Sequence, residues 1–102
     1  MATTNSANRN SGKSARSSAP GIAAKAQEHI GALTAKDIEG VTSVEPIETG
    51  WLVEVEVVED RRVPSASDIL AVYEAELDEN GDLQAYRRTK RYSRGRGQLG
   101  TD

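Results

Sequence analysis

The residues with chemical potential in this chain are four glutamates and a run of cations. Glu54 and Glu56 alternate in "WLVEVEVVE", and Glu74 and Glu76 alternate in "DILAVYEAELD". Paired carboxylates serve as general acid and base only where desolvation or a neighbouring charge drives their pKa values apart. Carboxylates on adjacent strands also bind calcium or magnesium, but such sites are completed by backbone carbonyls of a tight loop. No EF-hand-like spacing accompanies these four, so a solvated acidic face is expected, with no metal and no other cofactor. His29 is the single histidine, and cysteine is absent. Without a nucleophile–base pair, a glycine-rich phosphate loop or a metal motif, the chain is expected to be non-enzymatic.

The opposing charge is concentrated in "YRRTKRYSRGRG", Tyr86–Gly97, with six cations in twelve residues beside two tyrosines. The formal net charge of the 102 residues is nevertheless −3. Residues 1–20 carry Arg9, Lys13 and Arg16; residues 21–86 carry four cations against fifteen carboxylates; residues 87–96 carry six cations. This is an acidic body with basic ends. One reading is a nucleic-acid-associated regulatory protein that uses the basic segment. Against it, an acidic body repels phosphates, and Tyr73 is expected to point into the core rather than to offer a stacking platform. The other reading makes Arg87 to Arg91 counter-charge for the body and leaves Arg94 and Arg96 for a partner's carboxylates.

The elements that position these groups follow from hydrophobic period. Residues 1–20 have no aliphatic side chain larger than alanine except Met1, and nothing there offsets the entropy of ordering, so a disordered tail is predicted. Ser17–Ser18 before Pro20 is a helix start. Ile22, Ala26, Ile30 and Leu33 then fall on one helical face, with His29 at its margin, and the helix is expected to end near Lys36. From Val41 the period becomes two. "VTSVEPIE" reads as an edge strand because Pro46 lacks an N–H, and Thr49–Gly50 as a hairpin turn. In the next strand Trp51, Val53, Val55 and Val57 face the core, with Leu52, Glu54, Glu56 and Val58 opposite. In the third, Ile69, Ala71, Tyr73, Ala75 and Leu77 face inward, with Leu70, Val72, Glu74 and Glu76 outward.

Asn80–Gly81 marks the last hairpin, and its turn admits two lengths. One places Arg87 opposite Glu74; the other places Arg88 opposite Val72 with Lys90 beside Leu70. The predicted architecture is α+β, one N-terminal helix on a four-stranded antiparallel β-meander. Residues 1–20 form a disordered N-terminal tail, 21–94 the folded domain and 95–102 a flexible end. A domain this small is marginally stable alone, so a partner surface or self-association is physically reasonable. No apolar run is long enough for a membrane span and no signal-peptide core is present; a cytoplasmic protein is expected.

The run "GWLVEVEVVEDRRVPSASDILAVYEAELDENGDLQAYRRTKRYSRG", Gly50–Gly95, together with "EGVTSVE" at Glu39–Glu45, resembles the gas vesicle protein O family. The likeness spans about residues 21–95, with Ala75 and Ser93 departing from the usual pattern. It implies an accessory role in forming gas vesicles, gas-filled protein shells that give buoyancy. It implies no enzymatic activity, no cofactor and no catalytic residues, and it makes other gas vesicle proteins the expected partners. Two contact surfaces are predicted. The first is the outward sheet face, Leu52, Val58, Leu70 and Val72, with Arg61 and Arg62. The second is the cationic end, Arg88, Lys90, Arg91, Arg94 and Arg96, which would steer acidic partners.

Overall fold

The computed structural model describes residues 18–95. The remainder of both predicted tails, and with it Arg96, lies outside the described residues. The helix α1 runs Ala19–Thr34. Ser18 caps it, its side chain accepting the Gly21 N–H at 3.3 Å, and Pro20 occupies the first turn, where no N–H is needed. It ends earlier than Lys36, because Ala35 turns left-handed (φ 58°) and donates its N–H to the Gly31 carbonyl at 2.9 Å.

Four strands follow: β1 (Asp37–Ile47), β2 (Gly50–Asp60), β3 (Ile69–Asp78) and β4 (Leu83–Ser93). They form one antiparallel sheet in chain order, the predicted meander. β1 starts at Asp37, four residues before the period of two becomes visible, because register shifts around Glu39 and Thr42 interrupt the alternation. Glu48–Thr49 makes the first turn, closed by the Ile47–Gly50 pair, so Gly50 opens β2 rather than ending the turn. Its backbone (φ 154°) runs so close to β3 that a Cβ there would lie 2.1 Å from the Leu77 carbonyl oxygen. Only glycine fits that approach.

The core lies between α1 and one sheet face. Ile22, Ala26 and Ile30 from the helix meet Trp51, Val53, Val55, Val57, Ala71, Ala75 and Leu77. Leu33, expected to complete the helical stripe, is 52% exposed. At the last turn the apolar contact is made on the flank of Gly31, where Ile38 packs, and helical period alone does not say where the strands end. His29 sits at the core margin as expected and gains a specific partner, its Nε2 donating to the Gly81 carbonyl at 3.0 Å. Gly81 (φ 93°) also lies against Lys25, so the helix is tied to the turn that launches β4. The helix lies chiefly over β1, β2 and β3.

Candidate interaction surface

β4 is the strand least covered by the rest of the protein. Every residue from Gln84 to Arg91 is exposed, whereas in β2 and β3 only Asp60 is. Its register combines offsets. Ala85, Tyr86, Arg87 and Arg88 pair with Glu76, Ala75, Glu74 and Tyr73; past a bulge at Thr89, Lys90, Arg91 and Tyr92 pair with Val72, Ala71 and Leu70. The Arg87–Glu74 register is therefore realised in the middle of the strand, and the Arg88–Val72 alternative is not. Thr89 accommodates the extra residue by donating its hydroxyl to the Val72 carbonyl at 3.3 Å.

Because partners in register share a face, the bulge distributes the cations over both faces. Arg88 and Arg91 stand on the helix side and reach across β3 to Glu59, at 2.9 and 3.5 Å. Arg87 and Lys90 stand on the outer side. Arg87 meets Glu74 at 2.6 Å, beside the directly opposed pair Glu54–Glu74, and so offsets that like-charge contact. Lys90 has no ion-pair partner among the described residues. Arg87, Arg88 and Arg91 thus each hold one of the protein's own carboxylates while their side chains stay about half exposed or more.

The far end of the sheet carries a denser network. Asp68 is 1% exposed and accepts the Arg62 N–H at 2.7 Å and an Arg94 N–H at 3.2 Å, with Arg61 at 3.7 Å. Arg94 also donates to both oxygens of Glu39, at 2.8 and 3.2 Å. The chain is held here by backbone bonds from Arg94 to the Asp68 carbonyl and from Gly95 to the Ala66 carbonyl. Arg61 pairs with Asp37 at 2.7 Å and Arg62 with Asp60 at 2.9 Å. Arg94, expected to be left free for a partner, is instead the most heavily engaged cation among the described residues.

Its path bears on the predicted aliphatic surface. Glu39 belongs to β1 and Arg94 follows β4, so their contact spans the two strands between. Glu39 is the extra residue beside Gly40, which pairs with the outward-facing Glu56, so the strap lies on the outer face. On that face Val58 and Leu70 are paired, as antiparallel packing requires, but they are 6% and 3% exposed, and Val72 is 4% exposed. The expectation of an open apolar patch is corrected here: these side chains face outward from the helix yet are covered. Leu52 is half-buried and paired with Glu45 and Glu76, several residues along β2 from Val58.

Hydrogen bonds from Arg94 hold the Glu39 carboxyl below its ordinary value of 4.5. The Arg62 N–H holds Asp68 below 3.8, with Arg94 adding to the effect and burial opposing it. Burial pushes Glu56 up, and Glu39 adds to that. A carboxylate with a depressed folded-state pKa stabilises fully above its unfolded value and loses that contribution as pH falls through the folded one; a raised carboxylate does the reverse. Acidification below the ordinary values of Glu39 and Asp68 is therefore expected to lower the urea midpoint. Glu56→Gln should raise the midpoint at pH 7 and lose that advantage at pH 4. A Glu56→Gln midpoint below wild type at pH 7 would contradict a half-buried, unfavourable charge there.

Among the described residues no pocket opens, no three acidic or histidine side chains converge as a metal site, and no helix is long and apolar enough to cross a membrane. The gas vesicle synthesis protein GvpO family matches residues 4–98. The chain belongs to this family. The match reaches further toward the N-terminus than the motifs between residues 21 and 95. The chain is 52% identical over 64 residues to gas vesicle protein O of a Streptomyces strain, a match covering 63% of this chain and 50% of that protein. It is 39% identical over 71 residues to gas vesicle protein O1 of Halobacterium salinarum, covering 70% of this chain and 60% of that one. The matched part thus spans only half to three-fifths of these GvpO relatives. No solved structure matches.

Proposed function

We propose that this GvpO-family chain is a non-enzymatic accessory component of gas vesicle formation that works in the cytoplasm by protein–protein contact through β4. The observation that carries this reading is the uncovered run Gln84–Arg91, eight exposed residues with four cations on an otherwise acidic domain. Exposed cations at a rim accelerate encounter with acidic surfaces and exclude like-charged partners. The partners are other gas vesicle proteins, shell or accessory, that present carboxylates. The contact surface of this reading differs from the one drawn from sequence. Val58, Leu70 and Val72 are covered, and Arg61, Arg62 and Arg94 hold the sheet end together. Of the predicted cations Arg88, Lys90 and Arg91 remain, and Arg87, expected only as counter-charge, joins them in the contact set.

The test is co-purification from a host that carries the complete gas vesicle gene cluster. Arg87→Glu combined with Lys90→Glu should reduce recovery of the other gas vesicle proteins by about tenfold or more. Both positions are exposed and lie away from the Asp68 network; because Arg87 offsets the Glu54–Glu74 contact, Arg87→Gln with Lys90→Gln is the milder second double variant, and circular dichroism checks the fold of both. Undiminished recovery by the folded double variant would remove β4 as the contact surface.

A further inference from the structure

We infer that β4 accepts an acidic, extended segment of another protein as a fifth strand. This rests on the protein-contact reading and specifies its mode. β4 is an edge strand whose outer side has no neighbour in the sheet. Between Ala85 and Arg88 its pairing with β3 keeps one constant offset, so a regular ladder edge is presented before the bulge at Thr89. Both faces at β4 are exposed, which leaves room for an added strand's side chains above and below the sheet. Strand addition of this kind draws affinity from backbone hydrogen bonds and specificity from alternating side chains.

Charge selects the occupant. A second copy's β4 would set Arg87, Arg88, Lys90 and Arg91 against the same four cations, and like charges opposed across a sheet are unfavourable. A second copy's β1 edge is interrupted by register shifts at Glu39 and Thr42 and by Pro46, which has no N–H to donate. Neither edge of this chain fits, whereas a regular strand bearing carboxylates does. The side-chain order is also specified. Tyr86, 42% exposed with its ring centroid 6.2 Å from that of Tyr73, and Arg88 lie on the helix side; Arg87 lies on the outer side. An antiparallel partner would place successive acidic residues opposite Arg88 and Arg87 and an apolar residue opposite Tyr86. The Arg87 and Arg88 side chains are 71% and 47% exposed, so each keeps donors toward solvent for an added carboxylate while holding Glu74 or Glu59.

The experiment is residue-resolved amide hydrogen exchange on the full chain, with a blocked synthetic heptapeptide Thr-Val-Glu-Glu-Val-Thr-Val as the probe. Two controls carry lysine in place of both glutamates, or methyl groups on alternate backbone nitrogens. The acidic peptide should slow exchange across residues 84–88 by about tenfold, and neither control should. The inference is overturned if the acidic peptide does not bind, or binds without protecting residues 84–88. It is overturned equally if the methylated peptide protects as well, since contact would then be through side chains alone. Concentration-dependent self-association that protects residues 84–88 without peptide would also overturn it, by making a second copy the occupant. In each case recovery of gas vesicle proteins by wild type and by the Arg87→Glu, Lys90→Glu variant still tests the contact reading separately.

Discussion

Truncating Ile30 to alanine should cost about 2–5 kcal/mol of folding stability, read as a lower urea midpoint at unchanged slope. Ile30 is fully buried in the contact between α1 and the sheet, and the core side chains facing the helix belong to strands held in a ladder, so collapse around the gap is restricted. A protein of this size has roughly 4–12 kcal/mol in total, so the substitution removes a large share of it. Ile30→Val should cost only about 0.5–1.5 kcal/mol, and the contrast separates lost volume from any general intolerance of the site. Trp51, 7% exposed in the same cluster, reports the change through a red shift of its emission. The effect should extend to β4, because the turn before that strand is tied to the helix through His29 and Lys25. An Ile30→Ala protein within about 1 kcal/mol of wild type would mean that α1 does not seal this core.

Arg94→Ala should open the far end of the sheet. Asp68 loses a donor while remaining almost fully buried, and Glu39 loses both of its bonds to the guanidinium. A buried carboxylate left with only Arg61, at 3.7 Å, as its cation is costly, whereas loss of an exposed pair such as Arg62–Asp60 is not. The expected signature is exchange at the Arg62 amide, which donates to Asp68, faster by about tenfold or more. Binding of a dye to newly exposed apolar surface at Val58 and Leu70 should accompany it. Arg94→Lys should recover only part of the protection, because an ammonium cannot reproduce the guanidinium's fork onto two carboxylates. The acid sensitivity of the wild type should also weaken in Arg94→Ala, as Glu39 and Asp68 return toward ordinary values. Unchanged Arg62 exchange together with unchanged dye binding would show that the strap does not cover those aliphatics.

These two outcomes divide what is local from what is long-range. The strand Trp51–Val58 declares its two faces through a period of two, and Ile22, Ala26 and Ile30 declare the helix face through spacings of four. Asn80–Gly81 marks the last turn because its positive backbone angle falls at glycine. Each of these signals is written within a few neighbouring residues, which is why the α+β meander and its core could be read directly. The motifs that carry the family resemblance lie in the same segments.

Arg94 illustrates the other case. It stands in a short glycine-flanked stretch that reads as a free end, but its partners Glu39 and Asp68 lie 55 and 26 residues earlier. Nothing in the neighbourhood of any of the three predicts that they meet. The same holds for the bulge at Thr89, which sends Arg88 to one face and Lys90 to the other. Alternation along a strand determined that Val58, Leu70 and Val72 point away from the helix. Only the folded sheet decided that they are shielded from water, at 6%, 3% and 4% exposure. A side chain's direction is set by its own backbone, but its exposure is set by whatever distant chain comes to rest above it.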